Sequence, residues 1–386
     1  MSTEVSDTPN SKGPAKARTR RSRSLTTSAT SRSEKTDIPE QKINAMVPLS
    51  EEKGGLYGQV LRDMIRINIL GDNPDSLFLR FLRAKDWDVE AAVRMILRTM
   101  RWRLDFNVAE LATENEDVLD KKYKGFRRQL EGGKLYMHGT DKMGRLIIYL
   151  TARLHKYSAQ PRETMEKFVV QTLEWGRLLI HPNEEACIIF DMTDFGFIKK
   201  PDIRILKFTM NLLQYHYPEC CGLFIILDIP RTTQTLWKVI SPWLAERFVS
   251  KVRFAGHSRD LLKYIDAEHL PASFEGGKAQ WKYEYIAPVP RQDERRMDAV
   301  NKQQMVEAWS SLQWQLEALV KERAECEEVE TRDTRAEAVI EAELERLLER
   351  LRVAYFKMRP FICAKNMYER LDDPPLREDG SVVWSY

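Results

Sequence analysis

Long apolar runs are missing from this chain of 386 residues. Nowhere do 18 apolar residues follow one another, so we expect no membrane-spanning helix. The N-terminus lacks the apolar segment of a secretory signal, and we therefore expect a cytoplasmic protein. A net charge of one sign is missing too, because the 61 basic and 58 acidic residues nearly cancel. This balance argues against nucleic acid as a partner.

Paired metal-ligand motifs are also missing. The five cysteines are odd in number and typical of free thiols in a reducing cytosol. Cys220 and Cys221 are neighbours, but adjacent cysteines seldom ligate one zinc ion, and no second pair stands at C-x2-C spacing. The six histidines form no H-x3-H or H-E-x2-H motif. We therefore predict no metal site and interpret the two cysteines as small buried side chains.

Nucleotide-binding and catalytic motifs are missing as well. Neither G-x-G-x-x-G nor G-x4-G-K-[ST] follows a predicted strand, and no G-x-S-x-G turn occurs. Asp191 and Asp228 stand at the ends of predicted strands, but no nucleophile or base neighbours them in the sequence. The sequence thus predicts no catalytic residue. An α/β hydrolase or a nucleotide-dependent enzyme is the competing hypothesis, which a lack of turnover across a substrate panel would exclude.

The first 36 residues contain eight Lys and Arg residues against three acids, with Ser and Thr filling most of the rest. Such a segment cannot bury enough apolar area to offset its ordering entropy. We predict a disordered basic arm over residues 1–45. The arm could contact an anionic membrane or nucleic acid, or it could simply keep the protein soluble.

Helical periodicity follows the arm. Residues 76–106 contain two helical patterns that break at the letters KDW, and Asp88 is a natural N-cap for the second pattern. We predict a small helical bundle over residues 55–125.

Short apolar, β-branched runs alternate with helical patterns between residues 126 and 285. The runs cover Leu146–Leu150, Ala186–Phe190, Leu223–Leu227 and Lys251–Phe254. The helical patterns cover Glu163–Leu179, Asp202–Tyr215 and Thr232–Phe248. This alternation predicts an α/β domain with a mainly parallel sheet and helices covering both faces.

Two further helical stripes lie beyond this domain. We predict a helical extension over residues 295–372 and a tail over residues 373–386. The extension either packs on the α/β domain or offers a surface for a dimer or a partner, and packing within the chain is the more ordinary outcome.

Residues 231–254 are more apolar than one buried helix face requires. Trp237 and Trp243 stand within seven residues, and Pro242 is a predicted break. Such a helix is either simply buried or a lid over an apolar cavity that opens at a membrane surface, where tryptophan is favoured.

Four strings of the sequence together resemble the CRAL-TRIO lipid-transfer family, and within it the fungal phosphatidylinositol transfer proteins. They are FLRFLRAKDWDVEAA, YPECCGLFIILDIP, FVSKVRFAG and LLKYIDAEHLPASFEGG, in this order. The similarity covers roughly residues 60–285, and the C-terminal helices resemble those of one fungal branch. The resemblance implies a cytosolic, non-catalytic carrier that encloses a lipid in a closed apolar pocket and exchanges it at membranes.

The resemblance also implies headgroup residues. Family members bind the inositol phosphate headgroup through a glutamate after proline and a lysine 32 positions later, which correspond to Glu219 and Lys251. A basic position of the family corresponds to Lys85, whereas Asp86 and Phe248 replace a second basic residue and a threonine. A carboxylate can accept sugar hydroxyls, and a buried phosphodiester needs a cation. Without the resemblance, a plain salt bridge between Glu219 and Lys251 is the preferred interpretation.

The same alignment predicts that phosphatidylcholine does not bind. Family members hold this headgroup with Ser, Thr and two Tyr side chains, and the corresponding residues here are Ala186, Ile188, Met137 and Ile148. All four are apolar, so the buried zwitterion would have no partners. The vacant end of the pocket could take a neutral lipid such as a sterol or squalene.

We therefore expect a phosphatidylinositol carrier with a role in phospholipid metabolism. The predicted pocket residues are Met137, Ile148, Ala186, Ile188, Phe190 and Phe248. The predicted gate residues are Trp237, Ile240, Trp243 and Leu244. The gate would swing onto phospholipid membranes, its transient partners, during exchange. The alternative is a lipid sensor that presents phosphatidylinositol to a lipid kinase or another partner without net transfer.

Overall fold

In this computed structural model the described residues are 62, 65–66, 68–69, 73–194, 202–228, 237–238, 240–327 and 334–386. The predicted basic arm lies outside them, as do parts of the predicted gate helix. No helix in this described part of the chain is long and apolar enough to cross a membrane.

A group of helices precedes the sheet, as predicted. They are α1 Pro74–Ala84, α2 Val89–Asp105, α3 Val108–Thr113, α4 Glu116–Lys122 and α5 Arg127–Glu131. The side chain of Asp88 caps α2 and accepts a 2.9 Å hydrogen bond from the amide of Ala91. Between α1 and α2, Asp86 and Trp87 both have positive φ, which makes the connection tight.

A sheet of five strands forms the centre of the protein. The strands are β1 Leu135–Thr140, β2 Leu146–Thr151, β3 Ala186–Asp191, β4 Cys221–Leu227 and β5 Val252–Ala255. They lie side by side in sequence order, with β1 antiparallel to β2 and the other neighbours parallel. The predicted mainly parallel sheet is confirmed, and β1 is an edge strand that the apolar runs did not reveal.

The two faces of the sheet are covered differently. Helices α6, Arg162–Leu179, and α7, Ile203–Asn211, pack on one face. Right-handed crossovers between strands in sequence order place their helices on the same side. The other face is covered by a 3-10 helix, Ser258–Lys263, and by irregular chain around Leu270 and Phe274. We expected helices on both faces of the sheet. On this second face the only helical cover among the described residues is a 3-10 helix, and the rest of the cover is irregular chain.

The predicted helix Thr232–Phe248 is not continuous. Residues 237–238 and 240 are helical, a 3-10 turn spans Ser241–Trp243, and the short helix α8 spans Glu246–Val249. Leu244, between the turn and α8, has extended backbone. Pro242 lacks the amide hydrogen that an α-helix needs, which explains the break.

The helical extension packs on the sheet domain. It consists mainly of α9, Ala299–Glu327, and α10, Thr334–Ile362, which join the same apolar core as α6 and α7. Beyond α10, the hydroxyl of Tyr368 accepts a 2.8 Å hydrogen bond from the amide of Met137 on β1. The tail, residues 373–386, also contacts β1. Packing within the chain, the more ordinary of the two expected outcomes, is therefore observed.

A buried carboxylate connects the helical bundle with the sheet domain. Glu174 on α6 accepts two 2.8 Å hydrogen bonds from Arg103 on α2, one of 3.1 Å from Arg177 and one of 2.6 Å from the hydroxyl of Tyr217. Burial alone would raise the pKa of Glu174, but these two cations and the hydrogen bonds outweigh it and lower the pKa to about 2. We call this group the Glu174 cluster.

Glu174→Gln should lower the free energy of unfolding at pH 7 by ~3–5 kcal/mol, because two buried guanidinium groups lose their anion. Urea denaturation measures this loss. The pKa of folded Glu174 lies below its ordinary value of 4.5, so the stabilisation is present above pH 4.5 and is lost as the pH falls toward 2.

The control for this substitution is Asp105→Asn, which breaks the exposed Arg101–Asp105 ion pair. Exposed pairs contribute little, so the free energy of unfolding should hardly change. If both variants lost the same stability, the Glu174 cluster would not be a structural connection.

Candidate functional site

Glu219 and Lys251 lie at the amino edge of the sheet, just before two parallel neighbours, β4 and β5. Lys251 Nζ lies 2.7 Å from Glu219 Oε2 and 3.4 Å from Glu185 Oε1. The side chains of Glu219 and Lys251 are only 16% and 19% exposed. The structure thus brings the two residues singled out in the sequence into direct contact, as a half-buried salt bridge.

The environment of Lys251 favours its charged form. Burial alone would lower the pKa of Lys251, but the hydrogen bond and charge of Glu219, together with the charge of Glu185, outweigh burial and raise it. Lys251 is therefore a cation at physiological pH, which is the charge state that binding of a phosphate would require.

Glu219 has an unusual backbone conformation. Its φ of +56° lies in the left-handed region, which residues other than glycine seldom adopt. Such a conformation costs about 1–3 kcal/mol and is found preferentially at functional sites. It aims the Glu219 carboxylate at Lys251 from the turn between Tyr217 and β4.

A second cation belongs to this site. Arg247 on α8 pairs with Asp86 from the α1–α2 turn, and its Nη1 lies 3.6 Å from Glu219 Oε1. The negative charge of Asp86 is therefore neutralised by Arg247, which belongs to helix α8. Lys85 lies next to Asp86, yet it has no ion pair within the described part of the chain and does not line the cavity beside Glu219.

These charges border a polar cavity of about 410 Å³. We call it the headgroup cavity. Its lining includes Glu219, Arg247 and Lys251, and also Leu213 and Phe248, which it shares with the neighbouring apolar cavities.

An apolar cavity of about 140 Å³ lies between the sheet and helices α6 and α7. We call it the main cavity. Ile148, Ile188 and Phe190 of the predicted pocket line it. A smaller cavity of about 30 Å³ adjoins it and is bounded by Phe248. The two share Phe190, Leu206, Met210 and Phe224 as walls.

Met137 and Ala186 of the predicted pocket are buried on the same face of the sheet but do not line the main cavity. Strand register pairs Met137 with Ile148 and Ile148 with Ile188, so these three stand in one row. Ala186 lies one row nearer the amino edge, beside Leu146. All four positions assigned to phosphatidylcholine contact are thus close together, buried and apolar.

Three of the four gate residues meet the smaller cavity. Trp237, Ile240 and Leu244 line it together with Phe248. Trp243 does not, and its half-buried ring lies 5.6 Å from Lys207 Nζ. The broken helix therefore covers the smaller cavity, through three of its four predicted gate residues.

Polar groups also lie at the opposite, carboxyl edge of the sheet. Lys134 just before β1, His155 after β2 and Asp202 at the start of α7 all line the main cavity. The main cavity therefore has a polar end of its own, apart from the headgroup cavity. The sequence did not predict a role for Lys134, His155 or Asp202, and it did not predict one for Arg247 or Glu185.

The adjacent cysteines have no chemical role that the geometry supports. Cys221 is buried, and burial raises its pKa to about 12, which makes it a poor nucleophile. Cys220 lies 3.2 Å from Arg80 Nη1. Over the described residues, no three His, Cys, Asp or Glu side chains are placed to hold a metal ion.

Comparison with known proteins matches residues 130–276 to the CRAL/TRIO domain and residues 51–98 to the CRAL/TRIO N-terminal domain. The chain is 36% identical over 302 residues to a CRAL-TRIO domain-containing protein of Schizosaccharomyces pombe, covering 78% of this chain and 66% of that one. It is 29% identical over 336 residues to phosphatidylinositol transfer protein CSR1 of Eremothecium gossypii, covering 85% and 75%. It is 27% identical over 222 residues to the SEC14 cytosolic factor of Kluyveromyces lactis, covering 52% and 70%. The chain spans just under two thirds of the first of these relatives.

Gly222→Ala should lower the melting temperature and cost about 1–3 kcal/mol, because the new Cβ would overlap the Glu185 side chain. A Cβ at this position would lie 2.3 Å from Glu185 Oε2 and 2.9 Å from Glu185 Cβ. Thermal unfolding measures the effect.

Gly256→Ala serves as the matched control, since a Cβ there meets only Asp260 Oδ2 at 3.8 Å. It should leave the melting temperature nearly unchanged. Equal melting temperatures for the two variants would mean that Gly222 is not needed for the approach of Glu185 to Lys251.

Proposed function

Because the chain belongs to the CRAL-TRIO family, we propose that it is a non-catalytic carrier that binds phosphatidylinositol and transfers it between membranes. The observation that carries the proposal is the Glu219–Lys251 pair, half-buried beside a polar cavity that shares the side chain of Leu213 with an apolar one. The name of one relative, a phosphatidylinositol transfer protein, supports the same ligand.

The headgroup would occupy the headgroup cavity. Lys251 would bind the phosphodiester, and Arg247 would add a second cation, since its guanidinium lies within 3.6 Å of Glu219. Glu219 would accept hydrogen bonds from inositol hydroxyls. Lys85 would have a smaller role than the family alignment implies, because Ala84 and Asp86 line the cavity and Lys85 does not.

The acyl chains would occupy the main cavity. Leu213 separates it from the headgroup cavity, so a lipid with its phosphate at Lys251 can direct its chains past this residue. The gate residues Trp237, Ile240 and Leu244 would move outward during exchange and expose the apolar cavities to a membrane. Trp243, which is half-buried, would enter the membrane interface.

Phosphatidylcholine would not be carried. The four positions aligned with its anchors offer no hydrogen-bonding side chain, and the amide of Met137 already donates to Tyr368 of the extension. A buried choline phosphate there would lack partners. A hydrocarbon such as squalene is a poorer second ligand than the sequence implies, because Lys134 and His155 line the main cavity and would gain no contact from it.

The site of action would be the cytoplasm, with transient binding to intracellular membranes. One relative is named a cytosolic factor, which supports this assignment. Presentation of phosphatidylinositol to a lipid kinase would use the same bound lipid, and a vesicle-to-vesicle transfer assay distinguishes a carrier from such a sensor.

Lys251→Ala should abolish transfer of phosphatidylinositol between donor and acceptor vesicles, because the phosphodiester loses its main cation. Charge-assisted hydrogen bonds of this kind change affinity by about tenfold or more. Transfer of radiolabelled phosphatidylinositol measures the effect, and thermal unfolding verifies that the variant is folded.

Lys278→Ala is the matched control, since Lys278 pairs with Glu268 on the surface. It should transfer phosphatidylinositol at the wild-type rate. If Lys251→Ala also did so, the headgroup assignment would be wrong.

Incubation with vesicles of total cellular lipid should load the protein with phosphatidylinositol and leave phosphatidylcholine behind. Native mass spectrometry of the reisolated protein identifies the retained lipid. Recovery of phosphatidylcholine at parity with phosphatidylinositol would contradict the proposed selectivity.

A further inference from the structure

Lys134 is a buried ammonium group in an apolar cavity. The residue is 7% exposed and lines the main cavity. Its Nζ donates a hydrogen bond to Gln129 Oε1 and lies 3.1 Å from Met165 Sδ and 3.5 Å from His155 Nδ1. A thioether sulfur is a weak acceptor and 3.5 Å is a long contact, so only one strong acceptor serves the three N–H bonds.

No carboxylate pairs with Lys134 in the part of the chain that the structure describes. The ring of Phe168, 5.8 Å from Nζ, gives only a distant cation–π contact. Burial lowers the pKa of Lys134 to about 8, and the group remains mostly protonated at pH 7. A buried cation without an anion is unusual, because charged groups inside proteins are normally paired.

His155 extends this polar end. Burial lowers the pKa of His155, as does the charge of Lys134, which keeps the ring neutral at pH 7. With Nδ1 facing the ammonium, the proton resides on Nε2. That atom is buried, lies 3.5 Å from Asp202 Oδ2 and has no aligned hydrogen bond. His155 thus has the Asp202 carboxylate on one side and the Lys134 ammonium on the other, and Lys134 is the cation of this polar end without a carboxylate of its own.

Three other polar groups of the main cavity, Thr172, Thr209 and Asp202, have partners already. The hydroxyls of Thr172 and Thr209 donate to carbonyls within their own helices, at 2.9 Å each. Asp202 caps α7, accepting from the amide of Ile205 at 3.3 Å, and Arg204 lies 4.0 Å from it. Among these groups the Lys134 ammonium is therefore the one that lacks an anionic partner in the described part of the chain, and an anionic oxygen would supply it.

We propose that the carboxyl-edge end of the main cavity binds the carboxylate of a long-chain fatty acid through Lys134, with the acyl chain extended along the apolar walls. This second ligand goes beyond the phosphatidylinositol carriage proposed above. The carboxylate supplies Lys134 with a charge-assisted partner, and the chain needs only the hydrocarbon walls that Ile148, Ile188 and Phe190 provide.

The two polar ends are separate sites. Lys251 precedes β5 and lies at the amino edge of the sheet. Lys134 lies beside the carboxyl end of β2, because its backbone carbonyl accepts a 2.8 Å hydrogen bond from the amide of Thr151. A strand of six residues spans roughly 17–20 Å. One small headgroup therefore cannot reach both lysines. A fatty acid bound at Lys134 would nevertheless fill the space that the acyl chains of a phospholipid need, so the two ligands would compete for the main cavity.

The test compares two ligands with the same chain. Radiolabelled oleate and oleyl alcohol, each delivered from cyclodextrin, are titrated against the full-length protein to give equilibrium affinities. Wild-type protein should bind oleate about tenfold or more tightly than oleyl alcohol, as expected for one charge-assisted contact in an apolar site. Equal affinities, or no binding of oleate, would overturn the proposal without any variant.

Lys134→Met should remove the preference for oleate and leave the affinity for oleyl alcohol unchanged. Lys156→Met, at an exposed position near His155, is the matched control and should keep the preference. Lys251→Ala should also keep it, so a failure of the phosphatidylinositol assignment would be distinguished from a failure of this one. Retention of the preference in folded Lys134→Met would overturn the proposal.

Discussion

The carboxylate of Glu174 is the constraint on which the geometry of the headgroup cavity depends. It accepts hydrogen bonds from Arg103 of the helical bundle, from Arg177 of its own helix and from the hydroxyl of Tyr217. Tyr217 is separated from Glu219 only by a proline, so the same ion cluster that joins the bundle to the domain also fixes the turn in which Glu219 adopts a positive φ. Because the cluster is buried, it resists screening by salt, and this turn is held by charge as well as by packing.

A parallel sheet explains why the polar groups lie at its two ends. Strands β2 to β5 all run in one direction, so residues before strands gather at the amino edge and residues after strands gather at the carboxyl edge. Lys251 and Glu219 belong to the first set, and His155 belongs to the second. The strand interiors are apolar on both faces, which leaves a hydrocarbon-lined space between two polar ends. An amphipathic lipid matches this distribution of polarity.

The sequence predicted the parts of the structure that depend on local pattern. Apolar runs located β2 to β5, and Asp88 marked the start of α2. The apolar-run pattern did not predict strand β1, because His138 and Gly139 interrupt the apolar residues of its sequence LYMHGT. At the site, the resemblance paired Glu219 with Lys251, whereas Arg247 had no signal in the sequence. Glu185 and Lys134 had no signal, since Lys251 lies 66 residues from Glu185, and His155 and the cavity walls around Lys134 come from later elements of the chain.

In the proposed carrier, the charges around Lys251 would determine which headgroups suit this site. Within the described residues, the ion pairs of Asp86, Glu185 and Glu219 are made with Arg247 and Lys251, so three carboxylates share two cations before any phosphate enters. A phosphodiester adds another negative charge, and it can bind Lys251 only if Glu219 finds other donors. Inositol hydroxyls supply those donors, whereas a bare phosphate headgroup would leave a half-buried carboxylate unpaired, at a cost that opposes binding. In the proposed carrier, the salt bridge and the headgroup site would thus be two arrangements of the same charges, and the need to satisfy Glu219 would make the site selective for a polyhydroxylated headgroup.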